Sequence, residues 1–177
     1  MPVSLHAATV LSWRQTLGAV AGLIGKAEAF CKDKGLAPSE LIQARLAPDM
    51  LPFAYQVKST TVHSLGAIEG VRRGVFSPDM TPPPDSFAAL NARVAETLRA
   101  LEAVTPAEVE SFIGRDMRFE VRFEGGERRI DFTAENFLLS FSMPNFYFHA
   151  TTAYDILRGK GVQIGKRDFM GPMRTKG

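Results

Sequence analysis

Residues 137–161 read FLLSFSMPNFYFHATTAYDILRGKG, and the reading of this run decides the fold. It holds Phe137, Phe141, Phe146, Tyr147, Phe148 and Tyr154, and its apolar residues keep to no single stripe. A helix that is apolar nearly all round is buried on most of its sides. The run is therefore expected to be the central helix against which the other elements pack. Asn145 and His149 lie inside it, four residues apart and so on one helix face. Pro144 stands just before them, and a proline inside a helix removes a backbone bond and clashes with the turn behind it, so a kink or restart is expected there. The polar pair has two readings: hydrogen-bonded core residues beside a kink, or the wall of a small pocket.

On the N-terminal side of this run, Thr133 is a candidate cap with Glu135 in the first turn. Before it lies a β-hairpin, residues 117–132. Met117 to Glu124 alternates apolar with charged residues, the period of a strand. Gly125-Gly126 reads as a two-residue turn of the primed type, which sets Val121 opposite Ile130 and Phe119 opposite Phe132. The apolar face of so small a sheet needs cover and is expected on one end of the helices. On the C-terminal side, residues 162–177 read as a tail, with Val162 and Ile164 extended and Lys166 and Arg167 as solvated charges.

The N-terminal half supplies the packing partners. From Ser4 to about Lys34, Val10, Trp13, Leu17, Val20, Ile24, Ala27 and Cys31 recur at spacings of three and four, the seam of a helix bundle. Lys32, Lys34 and Gly35 suit its C-terminal end. Cys31 lies on the seam and reads as a small buried hydrophobe. A second helix is expected from a cap at Asp49 to Arg73, stopping at Gly74, with Phe53, Val57, Thr60, Ala67 and Val71 inward and Gln56 and His63 bordering that face. Residues 75–85, VFSPDMTPPPD, read as a proline-rich return linker that lets the third helix run parallel to the second. That third helix spans about Ser86 to Ala103 behind a cap at Asp85, with Phe87, Leu90, Val94, Leu98 and Leu101 as its stripe. Asn91, Arg93, Glu96, Arg99 and Glu102 form its solvated face, and Thr105-Pro106-Ala107-Glu108 starts a further short helix.

The chain of 177 residues suits one domain, residues 1–177, with 45% hydrophobic and 23% charged residues, as in an ordinary globular protein. A net charge of +2 gives no field that would point to nucleic acid or acidic lipid. One cysteine allows no internal disulfide, no apolar run approaches the ~20 residues that span a bilayer, and the start lacks a signal-peptide pattern. The expectation is a cytoplasmic protein with no membrane and no nucleic-acid partner. No G-x-S-x-G, phosphate loop or HExxH appears, so the residues alone indicate no reaction.

The order long helix, helix, proline-rich return, helix, hairpin, aromatic helix resembles the DinB/YfiT-like four-helix bundles. Within them it resembles a bacterial family of unknown function, on the phrases ARLAPDM at 44–50, PNFYFHATTAYDILR at 144–158 and GKRDF at 165–169. The resemblance implies an all-α fold carrying a small β-hairpin, with up-down-down-up topology. In many members of that superfamily three histidines hold one divalent metal, one from the second helix and a His-x-x-x-His pair from the fourth, and some of these proteins are thiol transferases or isomerases. Here the matching pair is Asn145 and His149, with His63 and Gln56 as second-helix candidates. Counting 1.5 Å per residue from the shared end puts His63 at roughly 15 Å, Asn145 at roughly 18 Å, His149 at roughly 24 Å and Gln56 at roughly 25 Å, so the four can converge. His6 falls near the base of the first helix, where it is expected to matter little for folding or binding.

Carboxamides are poor metal ligands. The expected site is therefore a pocket of His149, Asn145, His63 and Gln56 for a small polar molecule. The alternatives are a zinc- or nickel-dependent enzyme of thiol-transferase or isomerase type using His63 and His149, or a structural or stress-associated dimer without ligand. A homodimer is expected because the central run has more apolar positions than four helices absorb, which leaves Phe146, Tyr147 and Tyr154 for an interface. The competing expectation is that the hairpin and tail cover them.

Overall fold

The computed structural model describes residues 3–176; Met1, Pro2 and Gly177, the ends of the expected domain and tail, lie outside the described residues. The chain is mostly helical with one small sheet. Two helices, α1 (Leu5–Ala8) and α2 (Val10–Lys34), meet at Thr9, whose hydroxyl donates back to the Leu5 carbonyl. The three-and-four seam of α2 is buried along its length, from Val10 to Cys31. Gly35 ends the helix in the left-handed region at φ +65°, its N–H returned to the carbonyls of Cys31 and Lys32. After a short α3 (Ser39–Ile42) the chain runs irregularly to α4 (Phe53–Val62) and α5 (Leu65–Arg73).

The expected single helix from Asp49 to Arg73 is thus two helices, and it starts later. Pro52 holds an extended backbone, and the Phe53 N–H bonds to the Ala44 carbonyl rather than to a cap at Asp49. The break falls at His63-Ser64, where the buried Ser64 hydroxyl donates to the Thr60 and Thr61 carbonyls and diverts the backbone. The inward face is as expected: Phe53, Val57, Thr60, Ala67 and Val71 are all buried.

Residues 75–85 do not form a simple linker. Val75–Phe76 is a strand, β1, parallel to β2 (Asp116–Phe123), which pairs antiparallel with β3 (Gly126–Thr133). The expected two-stranded hairpin is therefore part of a three-stranded sheet, and its register also differs from expectation. Phe119 opposes Ile130, Val121 opposes Arg128, and Met117 opposes Phe132. The turn residues are Glu124 and Gly125, with Gly125 at φ +91° in the second loop position, while Gly126 joins the ladder opposite Phe123. Only one glycine is needed for the left-handed position, so the turn closes one residue earlier and the pairing slips by two. A slip of two keeps every side chain on its face, which is why the apolar side still covers the helices.

Beyond the linker, α6 (Phe87–Glu102) is capped by Ser86, not Asp85: the Ser86 hydroxyl accepts from the Ala89 N–H, the spacing a cap requires. Thr105 caps α7 (Pro106–Glu110) through the Glu108 N–H. The aromatic run becomes α8 (Ala134–Asn136), a π-helix (Phe137–Ser142) and α9 (Met143–Gly159). The kink expected at Pro144 takes the form of that π-helix just before it. The Met143 N–H reaches five residues back to Leu138, and Pro144 has no N–H to restore the α pattern. Last comes α10 (Lys166–Met170), so the tail is a short helix tied to α2 through Lys26 and Asp168 at 2.6 Å, with Val162 and Ile164 buried beneath it.

In the core, α2 packs against α6 and α9, and α4 against α9 and α6. Phe146 is fully buried 6.3 Å from Trp13, so it belongs to the core and not to a surface interface. It sits inward because it falls between Asn145 and Tyr147 on the side of α9 that faces α2. Tyr154 is covered by Phe169 of α10 at 5.9 Å, and Phe132 and Phe119 of the sheet cover Phe137 and Phe141. Among the described residues no helix is long and apolar enough to cross a membrane.

Candidate functional site

The break at His63 and the π-helix before α9 face each other. Between them, roofed by β1 and the first residues of the linker, lies a cavity of about 210 Å³, with Tyr55, Lys58, His63, Phe141, Asn145 and His149 on its walls. The α-helical spacing of Tyr55, Ser59 and Val62 along α4 presents one face to it, and the π-helix turns Phe141 and Asn145 toward it from the other side.

His149 and Gln56 meet at 2.7 Å between Nδ1 and Oε1. Gln56 is buried and its Nε2 donates to the Leu51 carbonyl at 2.8 Å, which fixes Oε1 as the acceptor. His149 therefore carries its proton on Nδ1, and its Nε2 is a bare acceptor. The His63 ring is stacked on His149, with centroids 5.7 Å apart and planes 16° from parallel. Its Nδ1 lies a long 3.5 Å from the buried Ser142 hydroxyl. That hydroxyl donates to Nδ1 or accepts from it according to the His63 tautomer. Asn145 Nδ2 donates to the Phe141 carbonyl at 2.7 Å, inside the disturbed turn. Burial pushes the His63 imidazole down to about 3, with His149 beside it adding to the effect, and burial pushes His149 down to about 4. Both rings are neutral near pH 7.

The four residues singled out from the sequence thus lie together: Asn145, His63 and His149 on the cavity, and Gln56 directly behind His149. His6 does not join them, but it is not idle. It is buried, its backbone N–H donates to Glu110 at 3.0 Å, and its Nε2 lies 3.2 Å from the Val104 carbonyl, so it ties α1 to the segment around α7. The expectation of a frayed, dispensable His6 is corrected by that burial.

Two further residues at the cavity escaped the sequence reading. Lys58 is fully buried, and its Nζ contacts Asp79 Oδ1 at 3.0 Å, the Asp79 carbonyl at 2.8 Å, and the Thr81 carbonyl. Asp79 also pairs with Arg93 at 3.1 Å, and Arg93 Nε donates to Thr61 at 2.8 Å, so Arg93 is a clamp rather than part of a purely solvated face. Burial alone would raise the Asp79 carboxyl, but hydrogen bonds from Thr81 and from Lys58 outweigh it and hold the group well below the usual carboxylate range. The clamp fastens the proline-rich linker across the cavity mouth. The only sequence signal for it was a lysine one residue past the inward Val57, which ordinarily reads as surface.

As metal donors the cavity offers the imidazole nitrogens of His63 and His149 and the amide oxygen of Asn145. Among the described residues no three His, Cys, Asp or Glu side chains converge.

A family model described as a domain of unknown function, DUF1993, matches residues 5–170. The crystal structure of a DinB family member protein from Shewanella denitrificans is similar with a TM-score of 0.78 and 28% identity, over 98% of this chain and 95% of that one. Among curated proteins none matches significantly.

Proposed function

The chain belongs to the DUF1993 family of DinB-like proteins, whose function is unknown, and from that premise we propose that it is a single-domain four-helix bundle that binds a small polar molecule in the cavity between α4 and α9. In this reading α2 runs up, α4 with α5 runs down, α6 runs down after the return along residues 75–85, and α9 runs up. The packing of α2 on α6 and α9, and of α4 on α9 and α6, supports that order.

One observation carries the binding proposal. Two neutral imidazoles share one cavity wall, and neither Nε2 has a protein partner among the described residues. Both rings are half-buried, and unpartnered ring nitrogens that open on a cavity are suited to a ligand or to water. The donor set does not fit a strong divalent-metal centre. The position that would complete a His-x-x-x-His pair is Asn145, an amide, and its Nδ2 is committed to the Phe141 carbonyl. Lys58 also brings an ammonium to the same cavity, which opposes a dication. A metal enzyme of thiol-transferase or isomerase type therefore ranks second, with His63 and His149 as the two ligands it would use.

The test is a thermal-shift screen of small polar compounds, in which a compound that binds the folded state raises the melting temperature. His149→Ala removes the Gln56 partner and the free Nε2 together, so it should lower stability by ~1–3 kcal/mol and abolish the shift from any compound found. Folding and binding both unchanged in that variant would defeat the proposal. Stoichiometric zinc or nickel in untagged protein would favour the second reading.

A further inference from the structure

The cavity walls divide by chemistry. On one side are the free Nε2 atoms of His63 and His149 and the amide of Asn145; on the other are the rings of Phe76, Phe119 and Phe141. The His63 ring itself packs 5.6 Å from Phe76 and 5.8 Å from Phe141, so the polar edge passes directly into an aromatic box. A volume of about 210 Å³ exceeds the ~150 Å³ of a cavity that accepts benzene, so one ring with a substituent fits.

The charges near the cavity are already used. Lys58 has three N–H donors, and they have three acceptors, Asp79 Oδ1, the Asp79 carbonyl and the Thr81 carbonyl. Asp79 is shared by two cations, Lys58 and Arg93, with Thr81 as a third partner. An entering cation would meet Lys58 and no free carboxylate, and burying an unpaired charge is costly; an entering carboxylate has no proton to give the bare His149 Nε2. What remains is a bare acceptor at His149 Nε2, with the His63 ring stacked beside it at 5.7 Å between centroids.

We propose that the ligand is an uncharged, planar aromatic carrying a hydroxyl group, a phenol-class molecule whose O–H donates to His149 Nε2, with its ring against Phe76, Phe119 and Phe141; this rests on the polar-cavity reading above. A hydroxyl is the smallest group that supplies that donor. The aromatic walls select the ring, the bare Nε2 has no use for a carboxylate that lacks a proton, and Lys58 opposes an ammonium group.

The experiment titrates the full chain with a matched set followed by 19F NMR: 4-fluorophenol, 4-fluorotoluene, 4-fluorobenzoate and 4-fluorobenzylamine. The expected result is that 4-fluorophenol binds at least about tenfold more tightly than each of the other three, the scale of one good hydrogen bond or one avoided charge burial. His149→Phe, which keeps a ring at that position, should erase the advantage over 4-fluorotoluene. Should that variant fail to fold, histidine 15N spectra of the unaltered protein serve instead: 4-fluorophenol should move the His149 Nε2 resonance and leave His6 unmoved. Tighter binding of 4-fluorobenzoate or 4-fluorobenzylamine would overturn the phenol class while leaving a polar-ligand cavity standing. Binding of none of the four overturns this inference too, and the broader reading then falls only if the thermal-shift screen is also empty. Equal binding of 4-fluorophenol and 4-fluorotoluene would show a merely apolar hole and overturn both.

Discussion

At the scale of single residues, His63 and His149 decide most of what the site can do, and their neutrality is measurable. The unfolded chain protonates its histidines near pH 6.5, whereas burial holds these two down to about 3 and about 4. Between those limits the unfolded state binds more protons than the folded one, so stability is complete above about pH 6.5 and is lost as pH falls toward 4. The charged groups that share the cavity are Lys58 and Asp79, with Gln56, Ser142 and Asn145 as neutral neighbours. Asp79 is held low, so its own contribution is lost mainly below about pH 4.5 and leaves the upper window to the imidazoles. Urea melts at pH 7 and pH 4.5 should differ by on the order of 2–4 kcal/mol, and a His63→Phe, His149→Phe double variant should flatten that difference. A pH-independent wild type would contradict the half-buried, neutral pair. His6 gives a second residue-scale prediction. Its ring nitrogen and backbone N–H bridge two segments far apart in sequence, so His6→Ala should cost about 1–2 kcal/mol in the same melts without changing ligand binding. The resemblance to DinB-like bundles, with helical heights counted from a shared end, allowed Asn145, His149, His63 and Gln56 to be brought together from the sequence. Lys58 and Asp79 were illegible because their pairing joins a helix to a linker 21 residues on, and no local periodicity encodes that.

At the scale of elements, helices were legible where a seam repeats and illegible where a hydrogen bond overrides it. The stripe of α2 continues over 25 residues, so its C-terminal end could be read from spacing, whereas the break at Thr9 that divides the expected helix from Ser4 into α1 and α2 could not. The break between α4 and α5 depends on the Ser64 hydroxyl competing for backbone carbonyls, and a serine within an otherwise regular pattern gives little warning. The π-helix has a visible cause in Pro144 but no visible position, because the strain of a missing N–H can be absorbed on either side. Strand β1 is two residues long and could not stand out from a proline-rich stretch. The hairpin is the most instructive case: alternation fixed the faces correctly, while two adjacent glycines left the turn ambiguous by one residue. That ambiguity yields a direct test. Gly125 holds φ +91°, so Gly125→Ala should destabilise by about 1 kcal/mol. Gly126 is a ladder residue whose added Cβ would meet only the ring end of the exposed Phe123 at 3.4 Å, so Gly126→Ala should stay within about 0.5 kcal/mol. Equal or reversed effects in thermal melts would favour the register with Gly125-Gly126 as the turn.

At the scale of the whole molecule the open matter is what meets the outer face of α9. The sequence expectation of surplus aromatics assigned Phe146, Tyr147 and Tyr154 to an interface between two copies. Phe146 lies in the core and Tyr154 lies under α10, so the chain covers two of the three by itself. What remains outside is Tyr147 at 37% exposure, joined by Phe148 at 56% and Leu139 at 43%, all from the same aromatic run. Three large apolar side chains within one short run are more than the isolated exposures common on a monomer's surface, and aromatics of this kind are enriched at interface centres. The homodimer we propose therefore uses this face, and it is independent of whether the cavity holds a ligand. Of the three, Phe148 is the most exposed, and it packs edge-on against its neighbour His149 at 5.3 Å. Sedimentation equilibrium at micromolar concentration should show a dimer, and Phe148→Glu should shift it to monomer by about tenfold or more in Kd, since a buried charge without a partner is costly. Tyr154→Ala should leave the assembly intact, because that ring is occupied within the chain. Only monomer in the wild-type protein would reject the dimer.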